Sequence, residues 1–250
     1  MKNALKIASL SIVLFSFILG CKSLQISSST NFCVLRWGTL GLIKNKTIQF
    51  YEVEENAWKP CDLPDFKIPK NDDLLFVGIG EIGVIKDQNI SFYSVNDKGN
   101  WAPDTAPDFQ LKKQQKVISV GLGTIGVIQN KKIRFYNVKD GVWTKIDDKI
   151  SDFDLPENVT IVPLMLDPLG IASIGVVDNS DLKIYHFNTK TKSWKLSNLD
   201  FKLPPYEEIV SVGFGNIGIA NSEKIEFFPL EASMNGKLIR DEIPQIPNFN

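Results

Sequence analysis

Beyond residue 31 the apolar positions fall into short runs that recur five times, most fully as Val117-Ile-Ser-Val-Gly-Leu-Gly-Thr-Ile-Gly-Val-Ile128, then Lys132-Ile-Arg-Phe-Tyr136, then Trp143, then Asp152-Phe153. The runs are too short for helices, either alternate or are continuously apolar, and are separated by polar turn residues, so they predict strands of antiparallel sheets. The first strand of each unit spans Phe32–Trp37, Leu74–Ile79, Val117–Leu122, Ile161–Leu166 and Ile209–Phe214. The second spans Leu40–Ile43, Ile82–Ile85, Ile125–Ile128, Ile174–Val177 and Ile217–Ala220. The third spans Ile48–Tyr51, Ile90–Tyr93, Ile133–Tyr136, Ile184–Phe187 and Ile225–Phe228, which sets His186 in the column of Phe50, Phe92, Phe135 and Phe227, a core or half-buried position. The fourth carries Trp58, Trp101, Trp143 and Trp194, with Leu238 as the fifth member. Asn45-Lys46, Asp87-Gln88, Asn130-Lys131, Asn179-Ser180 and Ser222-Glu223 join second to third strands as tight hairpins.

Phe66, Phe109, Phe153, Phe201 and Phe249 set the register, and a period of about 43 residues means that each unit buries its faces only against its neighbours. Four antiparallel strands per repeat and five repeats resemble an all-β, five-bladed β-propeller, with blades at about 32–64, 74–107, 117–150, 161–198 and 209–243 within a domain covering 32–250. The resemblance is to the architecture; the marker residues of WD40 and kelch repeats are absent. It implies a closed ring in which Asn248-Phe249-Asn250 supplies blade one with the leading segment that its own N-terminal flank lacks. An open five-unit arc is the alternative.

Ahead of the repeats, Met1-Lys-Asn-Ala-Leu-Lys6 is followed by an apolar run from Ile7 to Leu19, too short to span a bilayer comfortably and patterned as a secretory signal. Its end, Ile18-Leu19-Gly20-Cys21, resembles the bacterial lipobox. That resemblance implies cleavage after Gly20, a diacylglycerol on the Cys21 thiol, and acyl chains such as palmitate that anchor the chain in the cell envelope. Lys22 in place of an aspartate implies the outer membrane or cell surface. An ordinary signal peptide cleaved nearby is the alternative. Residues 22–31, polar and serine-rich, read as a flexible tether.

Loss of Lys2 and Lys6 with the signal takes the formal charge from −1 to −3. The remaining basic residues are scattered over hairpin tips, so nucleic acid is not an expected partner. No nucleophile and base are spaced for catalysis, no phosphate loop is present and no cofactor is implied. Asp178-Asn-Ser-Asp181 has acidic spacing faintly suited to calcium but no supporting loop, and no metal site is expected. Cys33 and Cys61 fall in the first and fourth strands of one blade, three strand spacings apart, beyond the reach of a disulfide.

Candidate binding residues are those where the repeat breaks. Gly78, Gly121 and Gly213 share an inner-strand column in which blade one has Arg36 and blade four Met165. Asp167 opens a turn, Asp167–Ala172, longer than its four counterparts. Glu81 is the one charged member of a row otherwise formed by Thr39, Thr124, Ser173 and Asn216. The tryptophans read as packing between blades. The resulting expectation is a membrane-anchored, non-catalytic module that binds or scaffolds an envelope or extracellular protein; the alternatives are a glycan-binding lectin and a propeller glycoside hydrolase or lyase.

Overall fold

The computed structural model of the protein describes residues 25–26, 32–36, 39–55, 57–69, 72–78, 81–121, 123–146, 150–157, 159–166, 172–206, 208–213, 216–220, 224–229 and 246–247. A short strand, β1 (Gln25–Ile26), precedes five sheets. Sheet one holds β2 (Phe32–Arg36), β3 (Thr39–Lys44), β4 (Thr47–Glu54), β5 (Ala57–Pro60) and β6 (Phe66–Lys67). Sheet two holds β7 (Asp73–Gly78), β8 (Glu81–Lys86), β9 (Asn89–Val95), β10 (Trp101–Pro103) and β11 (Phe109–Gln110). Sheet three holds β12 (Lys116–Gly121), β13 (Thr124–Gln129), β14 (Lys132–Lys139), β15 (Val142–Lys145) and β16 (Phe153–Asp154). Sheet four holds β17 (Thr160–Leu166), β18 (Ala172–Asp178), β19 (Asp181–Asn188) and β20 (Ser193–Lys202), and β1 pairs in parallel with β17. Sheet five holds β21 (Glu208–Gly213), β22 (Asn216–Ala220), β23 (Lys224–Pro229) and β24 (Ile246–Pro247).

Each sheet is an antiparallel meander whose last short strand returns to pair with the third, as Phe66 does with Ile48 and Phe153 with Ile133. Sheet four fuses its fourth and returning strands into β20. Pro64 and Pro107, which lack an N–H for the ladder, stand between the two strands in sheets one and two, and in sheet three, without a proline, the Ile146–Ile150 turn separates them, whereas neither a proline nor such a turn separates Trp194 from Phe201. The predicted hairpins are present in the first four sheets: Lys44 pairs Thr47, and Asn45 and Lys46 both have positive φ, as do Asp87 with Gln88 and Asn130 with Lys131.

The fold is all-β with a propeller-like arrangement of antiparallel sheets. The inner strands β2, β7, β12, β17 and β21 neighbour one another in that order, and β21 also lies beside β2. Between sheets lie apolar layers. Ile48, Phe50 and Phe66 of sheet one meet Ile82 and Val84 of sheet two; Leu40 and Trp58 of sheet one meet Ala220 and Phe227 of sheet five. Trp101, Trp143 and Trp194 each cross such a boundary, confirming their packing role. Trp143, for example, lies 5.2 Å from Phe92 and 5.5 Å from Phe109, and its Nε1–H donates to the Pro107 carbonyl at 2.6 Å. Trp101 donates in the same way to Pro64 and Trp194 to Ser151.

Two sequence expectations require correction. Phe249 does not continue the column of Phe66 and Phe109; Ile246 does, pairing with Ile225 as Phe66 pairs with Ile48. The reason lies in the preceding residues, since Ile243-Pro244-Gln245-Ile246 matches Leu63-Pro64-Asp65-Phe66 once the acidic residue is not demanded. Ile246–Pro247 is hydrogen-bonded to sheet five, and Asn248-Phe249-Asn250, expected to lead into blade one, lies outside the described residues. Finally, the stretch read as a wholly flexible tether contains β1, in register with Thr160 and Ile161. Residues 1–21, Leu238, Phe249 and the Ser222-Glu223 turn lie outside the described residues.

Candidate functional site

The paired ends at which each first strand gives way to its second strand all lie at one end of the sheets, opposite the second-to-third-strand hairpin tips. At that end the outermost residue of each second strand to pair with the third strand is Thr39 with Glu52, Glu81 with Ser94, Thr124 with Asn137, Ser173 with His186 and Asn216 with Pro229. Side-chain alternation places the first four pairs at the mouths of the clefts between their own sheet and the next. Thr39 and Thr124 are closed over, each 3% exposed, whereas Glu81 and Ser94 are half-buried and His186 is exposed. A polar row therefore crowns the apolar layers.

Glu81 is set apart by its surroundings. It shares the face of Gly83 and Ile85, which packs on sheet three through Ile90, Phe92, Ile125, Val127 and Trp143. Burial pushes its carboxyl above the ordinary glutamate range, and the negative charge of Asp104 adds to the effect. No ion pair of Glu81 occurs among the described residues. Asp104 follows β10, where its N–H donates to the Phe92 carbonyl at 2.8 Å. Burial alone would raise the Asp104 carboxyl, but bonds from the Ser94 hydroxyl, the Ala106 N–H at 2.9 Å and Thr105 outweigh it and hold the group below the ordinary range. The cleft mouth between sheets two and three thus carries two carboxyls, displaced in opposite directions.

Glu81 was legible as a break in the repeat; Ser94 and Asp104 were missed. The signal for Asp104 is its column, three residues after each tryptophan, where Cys61 and Ile146 make the same backbone bonds to Phe50 and Phe135. An acid there replaces a half-buried thiol and an isoleucine.

His186 is misplaced by the sequence alignment. In β19 it is Leu182 and Ile184 that occupy the columns of Ile48 and Phe50, because Gly175 pairs Ile184 as Gly41 pairs Phe50. His186 moves two positions outward, leaves the core and stands opposite Ser173, whose Oγ lies 2.8 Å from its Nδ1. The slip arose because Ile184-Tyr-His-Phe187 imitates the aromatic ending of the other third strands.

The remaining candidates divide. Arg36 pairs Thr39, and Met165 lies in the register shift of β17 between Pro163 and Leu166, so both reach the same end as the polar row by backbone position; their side chains are outside the described residues. Asp167 and the rest of its turn through residue 171 also fall outside. Asp178-Asn-Ser-Asp181 is a tight hairpin in which Asp178 accepts from Asn179 and Asp181 pairs with Lys202. Among the described residues, no group of three or more metal-ligating side chains converges. Cys61 is a half-buried thiol, and the row Cys33, Gly41, Phe50, Cys61 crosses the full width of sheet one.

No family model matches the chain, and no curated protein sequence matches it. Among solved structures the chain is similar to a functionally unknown protein from Desulfotomaculum acetoxidans, 12% identical over 84% of this chain and 71% of that one, with a TM-score of 0.42. It is also similar to Kluyveromyces lactis Hsv2, 15% identical over 84% of each chain, with a TM-score of 0.38. A protein from Lactobacillus plantarum is 12% identical over 88% of this chain and 69% of that one, with a TM-score of 0.38.

Proposed function

We propose that this chain is an envelope lipoprotein, anchored through Cys21 at the outer membrane or cell surface, whose five sheets close into a five-bladed propeller that binds a polypeptide partner at its polar end. The observation that carries the binding reading is the polar row itself: hydroxyl, amide, imidazole and carboxylate groups lie at one end of a rigid array, and Glu81 is half-buried there without an ion pair among the described residues. A half-desolvated carboxylate is a ready partner for a lysine or arginine side chain. Closure is supported by the packing of Trp58 on Phe227, with ring centroids 5.8 Å apart, and by the adjacency of β21 and β2.

One observation favours a second reading, glycoside hydrolysis. Two carboxyls whose environments push their protonation apart are the usual equipment of an acid and a base or nucleophile. Against it, Asp104 is tied down by three neighbours and lies beyond the outer strand, away from the inner strands where a sugar would enter the ring. The lectin reading is weakened because the rings of Trp101, Trp143 and Trp194 are packed edge-to-face with phenylalanines of the preceding sheets.

Mass analysis of the N-terminal peptide from membranes tests the anchor: a diacylglyceryl Cys21 is expected, and a Cys21→Ala chain should appear in the soluble envelope fraction. An unmodified Cys21 in a membrane-free protein would remove the anchor. Turnover of glycosides that disappears in Glu81→Gln would replace binding by hydrolysis.

A further inference from the structure

The structure points to a fixed orientation of the ring on its membrane: we infer that the segment after Cys21 docks along the axis from the hairpin end, so that the hairpin tips face the bilayer and the polar row faces away. The inference rests on the proposed anchor at Cys21, and adds which end that anchor holds.

The geometry comes from β1. Gln25 pairs Thr160 and Ile26 pairs Ile161, in parallel. Thr160 is opposite Val177, next to the Asp178–Asp181 hairpin, whereas Leu166 at the other end of β17 meets Ala172 beside the polar row. A chain running parallel to β17 therefore enters from the hairpin end. Strand β17 is an inner strand flanked by β12 and β21, and β18 occupies its outer edge, so the edge that β1 takes is the axial one. Cys21 precedes Gln25 by four residues, a reach of at most about 14 Å. That span is too short to carry the anchor round the outside of the sheets to the polar end.

The tips at this end also offer lysines to a lipid surface. The tips of sheets one to three read Lys44-Asn45-Lys46, Lys86-Asp87-Gln88 and Asn130-Lys131-Lys132, with all five lysines exposed. Lys44, Lys46 and Lys86 form no ion pair among the described residues, while Lys131 and Lys132 pair with Glu157 and Asp154. Glu52, Glu81 and Asp104 of the polar end are offset by lysines there, among them Lys59 opposite Glu52, Lys195 opposite His186 and Lys98 in the turn after β9. Sheet four's tip, with Asp178 and Asp181, is the exception. Anionic lipid phosphates attract the exposed lysines of the first three tips.

Two measurements on the full mature protein test the inference. In hydrogen exchange of the detergent-solubilised chain, a peptide covering residues 24–27 should exchange at least about tenfold more slowly than in an Ile26→Pro variant, which cannot make the β1 ladder. Equal exchange in the two would overturn the docking, whatever the state of Cys21. In vesicles of phosphatidylethanolamine with phosphatidylglycerol, amine acetylation at Lys46, Lys86 and Lys131 should fall about tenfold relative to detergent, while Lys195, opposite His186, is unchanged. Shielding of Lys195 with open tips, or no difference between the ends, would overturn the orientation. Loss of membrane association with β1 still protected would instead count against the anchor.

Discussion

Trp143 shows how much one side chain contributes here. Its ring joins Phe92 and Phe109 of the preceding sheet, and its indole N–H is the donor to Pro107. Trp143→Phe keeps most of the ring contact and removes the donor. We expect a loss of about 1–2 kcal/mol in denaturant-midpoint stability, because the Pro107 carbonyl is left without that bond. Glu81 works in the opposite sense. Its folded carboxyl titrates above its unfolded value, so the stability it contributes is present at acid pH and is lost as pH rises through its folded titration. Glu81→Gln should therefore raise stability at neutral pH and flatten that decline. Asp104 is held low, so its contribution is present at neutral pH and lost as pH falls through its folded titration; Asp104→Asn should remove that acid limb from a stability-pH profile. Glu81 was visible in the sequence as a charge in a row of small polar residues. Asp104 was not, because recognising it requires knowing that Cys61 and Ile146 share its backbone bond.

At the scale of the element, the second strand of each sheet explains itself through its glycine. A Cβ on Gly126 would sit 2.8 Å from Ile133 Cγ2 and 2.9 Å from Ile118 Cγ1, both branched side chains leaning in from the flanking strands. Gly126→Ala should cost about 1–3 kcal/mol by overpacking, read as a shift in the denaturation midpoint without a change in slope. The repeat made this column legible, since Ile-Gly-Val-Ile recurs with little change. Registers failed where composition imitated the pattern. His186 was drawn into the aromatic column by Phe187, and Phe249 displaced Ile246 because a phenylalanine attracts more notice than an isoleucine following a proline and a glutamine. In both places the ladder is fixed by which residue packs inward opposite a second-strand glycine or a third-strand isoleucine, a pairing that only the folded chain reveals.

For the whole molecule, stability is a sum of boundaries between sheets. Phe153 returns from sheet three to pack within 5.0 Å of Trp194 and 5.2 Å of Tyr185 in sheet four, so Phe153→Ala should cost about 3–5 kcal/mol and weaken cooperativity between those sheets, seen as broadened thermal unfolding. The all-β, propeller-like architecture followed from the hydrophobic pattern because each run was short and each turn polar. Which end carries the polar row did not, since that row is assembled from residues on two strands of every sheet. Site-specific photo-crosslinking in intact envelopes tests the central claim most directly, with the probe placed at Asn137 in the polar row or at Asn45 on a hairpin tip. We predict a discrete, protease-sensitive adduct from Asn137, reduced by Glu81→Lys and absent from Asn45. An adduct formed only from Asn45, or none from the polar row, would contradict the account.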